Sequence, residues 1–429
     1  MEPTDIPENS GLSISPSTEL VSLPSGSTPA LSEIINRSLV HIQTSKSLAI
    51  LHRIGEYDLY GPDYRLVCAW AEEFKLSPDE ILKALQTWPQ RYNRNWDYQP
   101  TRIVEGRFRS MHINCDILGI EGLPQVEGLI LDKLSLHGQG VLDLDLSVLP
   151  NLKSLAVDYT GFHHLNLSST PNLRKLSCTY NHLRELDLSQ VPHLTELWCE
   201  GNELNELNLS AVAKLEKLSF NANKITPIDL SAVPKLTYLD CGFNLNLHIN
   251  LSKVPNLTEL LCCANLFTQL DLSKVKKLRK LECTSNRLVE LDISGCSMLS
   301  ELHCFGNELN KLDLLKAPNL TKLWCGSKNL AELDFSGVPL LVELDCDQNQ
   351  LTKLDLSNVP NLVKLHCDEN QITKLDLSKV PNLVELHCEN NLLSELDIRR
   401  MKADHHTPDW YSLKCDDHVL ITHRPDQRF

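Results

Sequence analysis

No run of 18 apolar residues occurs in this 429-residue chain, so nothing in it reads as a transmembrane helix. The opening residues, Met1-Glu2-Pro3-Thr4-Asp5, lack the basic and apolar regions of a secretory signal. An excess of positive charge is missing too. The net charge is −15, which argues against a protein that coats nucleic acid or an anionic membrane through bulk charge. The chain has no Gly-rich phosphate loop, no nucleophile elbow and no paired-Cys zinc motif, and so lacks the common marks of several enzyme classes. What it does have is cysteine, 15 residues, an odd number. Without an export signal these read as reduced thiols, and the chain as cytoplasmic.

Apolar residues make up 42%, enough for a continuous core. From about residue 111 to 398 they follow a 21-residue period, clearest in Leu365-His366-Cys367-Asp368-Glu369-Asn370 and its neighbours one turn away. An Asn marks each repeat at 181, 202, 223, 244, 265, 286, 307, 349, 370 and 391, with Lys328 in the same register. The spacing steps back through Thr160, Gln139 and Leu118 without insertion, giving about 14 rungs.

Three residues before the marker stands Cys in most rungs, from Cys115 and Cys178 to Cys388. Leu136, Val157 and Phe220 replace it elsewhere, so the column wants a buried hydrophobe rather than a disulfide or a metal ligand. Further along comes Leu-Asp-Leu-Ser, as in Leu270-Asp271-Leu272-Ser273. Its alternation reads as a short extended segment on the opposite wall, and Asp, Ser and Pro favour a turn held by side-chain to backbone bonds.

The run Leu194-Thr195-Glu196-Leu197-Trp198-Cys199-Glu200-Gly201-Asn202-Glu203-Leu204 resembles the Leu-x-x-Leu-x-Cys-x-x-Asn-x-Leu signature of leucine-rich repeats, in the 21-residue bacterial-type subclass. The resemblance implies an α/β repeat solenoid, a superhelix with a parallel concave sheet and short strands or turns on the convex side. It also implies that the marker Asn satisfies backbone groups between rungs. The rung at Lys328 departs from it and is expected to be irregular.

The flanks read differently. Residues 1–30 are Ser/Pro-rich and are expected to be disordered; their composition resembles the leaders of proteins exported by bacterial type III systems. Residues 31–110 read as a small helical domain and N-terminal cap. Leu31, Ile34, Ile35, Leu39 and Ile42 have helical spacing, and Ser77-Pro78-Asp79-Glu80 is a helix start. Arginines and aromatics interleave over 88–109, a pattern that can stack on bases but fits a cap over the first rung better. Residues 399–429 read as a C-terminal cap of one or two strands over the last rung. Within it Cys415-Asp416-Asp417 resembles the Cys-x-Asp motif of bacterial ubiquitin-ligase effectors, without the long catalytic domain of that family.

If Leu197 and Cys199 point inward, the residue between them points out from the sheet. The outward positions carry two constellations. One is aromatic: Trp198, Tyr238, Phe243, Phe305 and Trp324, candidate anchors for a partner. The other is Asp345, Asp347, His366, Asp368, His387 and Glu389 within three rungs. It reads as a solvated acidic patch that meets a basic partner, with a divalent metal as the weaker alternative. The neighbouring column, Glu301, Lys322, Glu343, Lys364 and Glu385, alternates in sign and should pair along the ladder. The expected function is a non-enzymatic scaffold that binds a protein on its concave face, without cofactor, membrane or nucleic acid. The alternatives are an effector exported into a host cell and a regulatory subunit or adaptor of an enzyme.

Overall fold

The computed structural model describes residues 149–402 and 413–424 without a break, and parts of the chain between 51 and 147. The leader, the helical spacing over Leu31–Ile42 and the aromatics from Trp88 to Tyr98 lie outside the described residues. The first described elements are strands rather than the expected helices. β1 (Leu51–Ile54) pairs antiparallel with β2 (Tyr57–Tyr60), setting Ile54 opposite Tyr57 and Leu51 opposite Tyr60. α1 (Pro78–Gln86) starts where the sequence places it. Ser77 Oγ accepts the Glu80 N–H at 3.3 Å, and the Glu80 carboxylate accepts the Ser77 N–H at 2.7 Å, a reciprocal cap.

β3 (Arg102–Val104) pairs antiparallel with β4 (Arg107–Asn114), and β4 opens the parallel ladder. β5 (Lys133–His137) and β6 (Ser154–Asp158) follow. Then come three-residue strands at every turn, from β7 (Lys175–Ser177) to β17 (Glu385–His387). Pairing is in phase throughout, with Leu302 opposite Leu323 and Leu323 opposite Leu344. The strands are short because the chain must turn straight after the Cys. The residue before the marker takes a positive φ (Tyr180 53°, Ala222 54°, Ser285 57°, Gln348 54°), which brings the marker side chain inward. Asn181 Nδ2 donates to the carbonyls of Val157 (2.6 Å) and Cys178 (3.1 Å), and its Oδ1 accepts the N–H groups of Thr160 (3.1 Å) and Phe162 (3.0 Å). This bonding recurs up the array and joins each rung to the one before it.

The Cys column is core, as expected. Cys178, Cys199, Cys241, Cys262 and their successors are buried and free, and burial pushes their thiols up in pKa. Several donate to the next rung, such as Cys367 Sγ to the His387 carbonyl at 3.4 Å. On the other wall Asp187 Oδ1 accepts the Ser189 N–H at 2.8 Å, and Asp271, Asp355 and Asp376 repeat the bond.

The rung at Lys328 is irregular in a specific way. The positive φ moves from the residue before the marker onto Lys328 itself (68°). Ser327 turns in instead, and its Oγ donates to the Leu309 carbonyl at 3.1 Å. Gly326 lets this happen, because a Cβ there would collide with the Phe305 ring and the Asp347 carbonyl.

At the far end, β18 (Glu395–Asp397) pairs with β20 (Leu420–Thr422), and β19 (Leu413–Lys414) adds to β17 with Leu413 opposite Leu386. Leu413-Lys414-Cys415 therefore repeats Leu386-His387-Cys388. Cys415 takes the place of the core cysteine, half-buried, its thiol raised by burial. Asp416, the middle residue of the Cys-x-Asp run, follows as a cap.

Candidate binding face

The outward column is as alternation dictates, but its residues are not equally available. Trp198 was expected to be an exposed anchor; it is 2% exposed. The residues opposite it on the neighbouring strands are Ser177 and Ser219. Both are small, so the indole packs onto the sheet instead of standing off it. Tyr238 lies beside it, ring centroids 5.3 Å apart, and is half-buried. Burial also raises the nearby Glu200 carboxyl to about 8.

Trp324 is different. It is 42% exposed, and one side of its indole stacks on His303, with centroids 3.9 Å apart and planes 8° apart. His303 is buried, and that burial lowers its pKa. Phe305 is half-buried, while Phe243, off the central column, is 57% exposed. The alternating charges pair as expected: Lys322 with Glu343 at 3.4 Å, and Lys364 with Glu385 at 3.1 Å.

Next to Trp324 on the following strand stands Asp345, then His366, then His387. The two imidazoles stack with centroids 4.1 Å apart and planes 3° apart. His366 Nε2 lies 2.9 Å from Glu385 Oε1, and its Nδ1 lies 3.9 Å from Asp345 Oδ2. The Asp345 carboxylate raises the His366 pKa, burial opposes it and Glu385 raises it again, leaving it at about 9. His387 goes the other way, lowered by burial and by the charge of His366.

Two members of the expected patch have structural work. Asp347 accepts the Asp368 N–H at 2.6 Å, and Asp368 accepts the Glu389 N–H at 2.6 Å. Burial and the flanking Asp345 and Asp368 charges raise Asp347 to about 7. The residue that sequence reading missed is Glu385, assigned to the self-paired column. It stands two residues before His387 on one strand, hence on the same face. That period-2 relation was available to find it.

No protein-family model matches the chain, and no curated protein does. Solved structures do. The functional domain of InlJ from Listeria monocytogenes, which includes a cysteine ladder, is 31% identical with a TM-score of 0.61, over 73% of this chain and 68% of that one. An internalin, InlF, from the same organism is 17% identical with a TM-score of 0.56, over 80% and 94% of the two chains. A leucine-rich repeat protein of Leptospira interrogans is 19% identical with a TM-score of 0.56, over 71% and 89%. The last two share the fold. The first shares sequence as well, over two thirds of its length. The chain belongs to the leucine-rich repeat family, in its bacterial 21-residue form.

Proposed function

We propose that this protein is a non-enzymatic scaffold that holds a protein partner on its concave sheet, with Trp324 as the anchor and Asp345, Asp347 and Asp368 as its acidic surround. The single observation that carries this reading is the indole of Trp324, 42% exposed on a rigid sheet while its other side is fixed by His303. An aromatic side chain held in place presents apolar area with little ordering cost on binding. The carboxylates on the following strands favour a partner with Lys or Arg at its contact surface. The thiols of the repeat column from Cys178 to Cys388 are buried in the core, and Cys415 is half-buried against it. Among the described residues no helix is long and apolar enough to cross a membrane.

The test is a pull-down from the native host with the wild-type chain and a Trp324→Ala/Asp345→Lys variant. Loss of one partner from the variant supports the reading. Equal recovery of every partner would refute it.

A further inference from the structure

The face next to Trp324 carries a second feature that partner binding does not require. We propose that His366, His387 and Glu385 form a site for one divalent transition-metal ion, with Zn2+ as the best match, and that Asp345 orients His366 within it.

The strand ladder builds the site. His366 and His387 occupy the same position on neighbouring strands, so their rings must lie side by side. Glu385 stands two residues before His387 and reaches back toward both rings. Its Oε2 is held by Lys364 at 3.1 Å, which leaves Oε1 facing the imidazoles. That oxygen is 2.9 Å from His366 Nε2 and 4.0 Å from His387 Nε2. All ligand atoms of the trio lie within 4.8 Å of one another. Metal bonds of 2.0–2.2 Å in a tetrahedron put ligand atoms about 3.4 Å apart. The two observed edges bracket that value, and because the rings stack 3° from parallel, each must turn out of the stack for both in-plane lone pairs to meet one ion.

The donor set fits the ion. Two imidazoles and one carboxylate suit zinc and its first-row neighbours, not Mg2+ or Ca2+. His366 presents its other nitrogen to Asp345 at 3.9 Å, within ion-pair reach, and the ring turn that opens the stack would bring it toward the carboxylate–histidine arrangement of metal sites. The surroundings favour a cation, since Asp347, Asp368 and Glu389 line the same rungs against Lys364 and Lys414. The His387 ring makes no ion-pair contact closer than 4.0 Å among the described residues.

The experiment is a titration of the full chain, thiols kept reduced, with Zn2+ and separately with Co2+. The expected result is one equivalent bound, with cobalt bands that lack thiolate charge transfer. His366→Ala and His387→Ala should each weaken binding by more than the roughly 10–100-fold that loss of an outer partner causes, and Asp345→Asn should fall within that range. Should His387→Ala disturb folding by circular dichroism, His387→Gln serves in its place. Absence of saturable uptake, a thiolate band, or equal affinity in a His366→Ala/His387→Ala double variant would overturn the proposal.

Discussion

Asp416 accepts the backbone N–H groups of Asn390 at 2.9 Å and Asn391 at 3.3 Å, two donors that an inner rung would hand to the next turn of chain. The carboxylate thus closes the end of the ladder. Asp416→Ala should lower stability by about 1–3 kcal/mol, the usual cost of leaving such donors unpaired. Hydrogen exchange should show faster opening of the rungs nearest the C-terminus, with the rungs around Asn202 unchanged. Uniform acceleration along the whole array would contradict this role.

The two sheet-face tryptophans should separate packing from binding. Trp198→Ala removes a fully buried indole and should cost about 3–5 kcal/mol. Trp324→Ala removes one that is 42% exposed and should cost well under half as much. Urea unfolding of the two variants measures the difference. Equal losses would mean that Trp324 is a packing residue and not an available anchor.

A third expectation concerns the irregular rung. Ser327→Ala deletes the hydroxyl that serves the Leu309 carbonyl and should cost about 1–2 kcal/mol. Lys328→Ala, at the marker position itself, should be near neutral, whereas Asn307→Ala one rung earlier should cost at least about 3 kcal/mol because its amide serves Leu288, Cys283 and Cys304. Denaturant midpoints rank the three.

Stability of the metal-free protein should fall as pH rises. Glu200, Asp347 and His366 all bind a proton more tightly in the folded chain, at about 8, 7 and 9 against 4.5, 3.8 and 6.5. Their contribution is complete below the lower values and is lost as pH climbs through the higher ones. Urea midpoints from pH 5 to 10 in chelator should decline, and Glu200→Gln should flatten the part of the decline that ends near 8. A midpoint that rises over this range would refute the assignment.

Glycine gives a paired test on the other wall. Gly295 and Gly337 occupy the same repeat position two rungs apart. A Cβ at Gly295 would make ordinary contacts of 3.5 Å, but one at Gly337 would collide with the Leu314 carbonyl and Leu315. Gly295→Ala should be neutral or stabilising by up to ~1 kcal/mol. Gly337→Ala should be clearly destabilising by thermal melt.

Most of the solenoid was legible in the sequence because its period admits no insertion between Thr160 and Asn391. In-phase columns average out local ambiguity, so Cys367 and Asn370 could be assigned to core and marker without a structure. Four features escaped for physical reasons. Trp198 read as exposed because outward direction was taken for exposure; the small Ser177 and Ser219 beside it decide otherwise. Glu385 read as paired with Lys364, which is true of one oxygen and silent about the other. That Leu413 continues the main ladder was hidden because it follows Leu386 by 27 positions rather than 21, which broke the phase although Leu-x-Cys was intact. The hairpin at Leu51–Tyr60 failed for a simpler reason, since short apolar runs do not distinguish strand from helix.

The displaced turn at Ser327 and Lys328 has a mechanical consequence. Between Asn181 and Asn391 each of the other rungs is fastened to the one before it by the marker amide. At the Lys328 rung the Ser327 hydroxyl takes its place, so within that stretch the side-chain coupling between turns is weakest there. A quasi-one-dimensional array breaks where neighbour coupling is least. The chain therefore has a fracture line, with Asn181 to Asn307 in one cooperative block and Asn349 to Asn391 in another. Trp324 sits on that line and His366 just beyond it, so a partner gripping both would clamp the two blocks together.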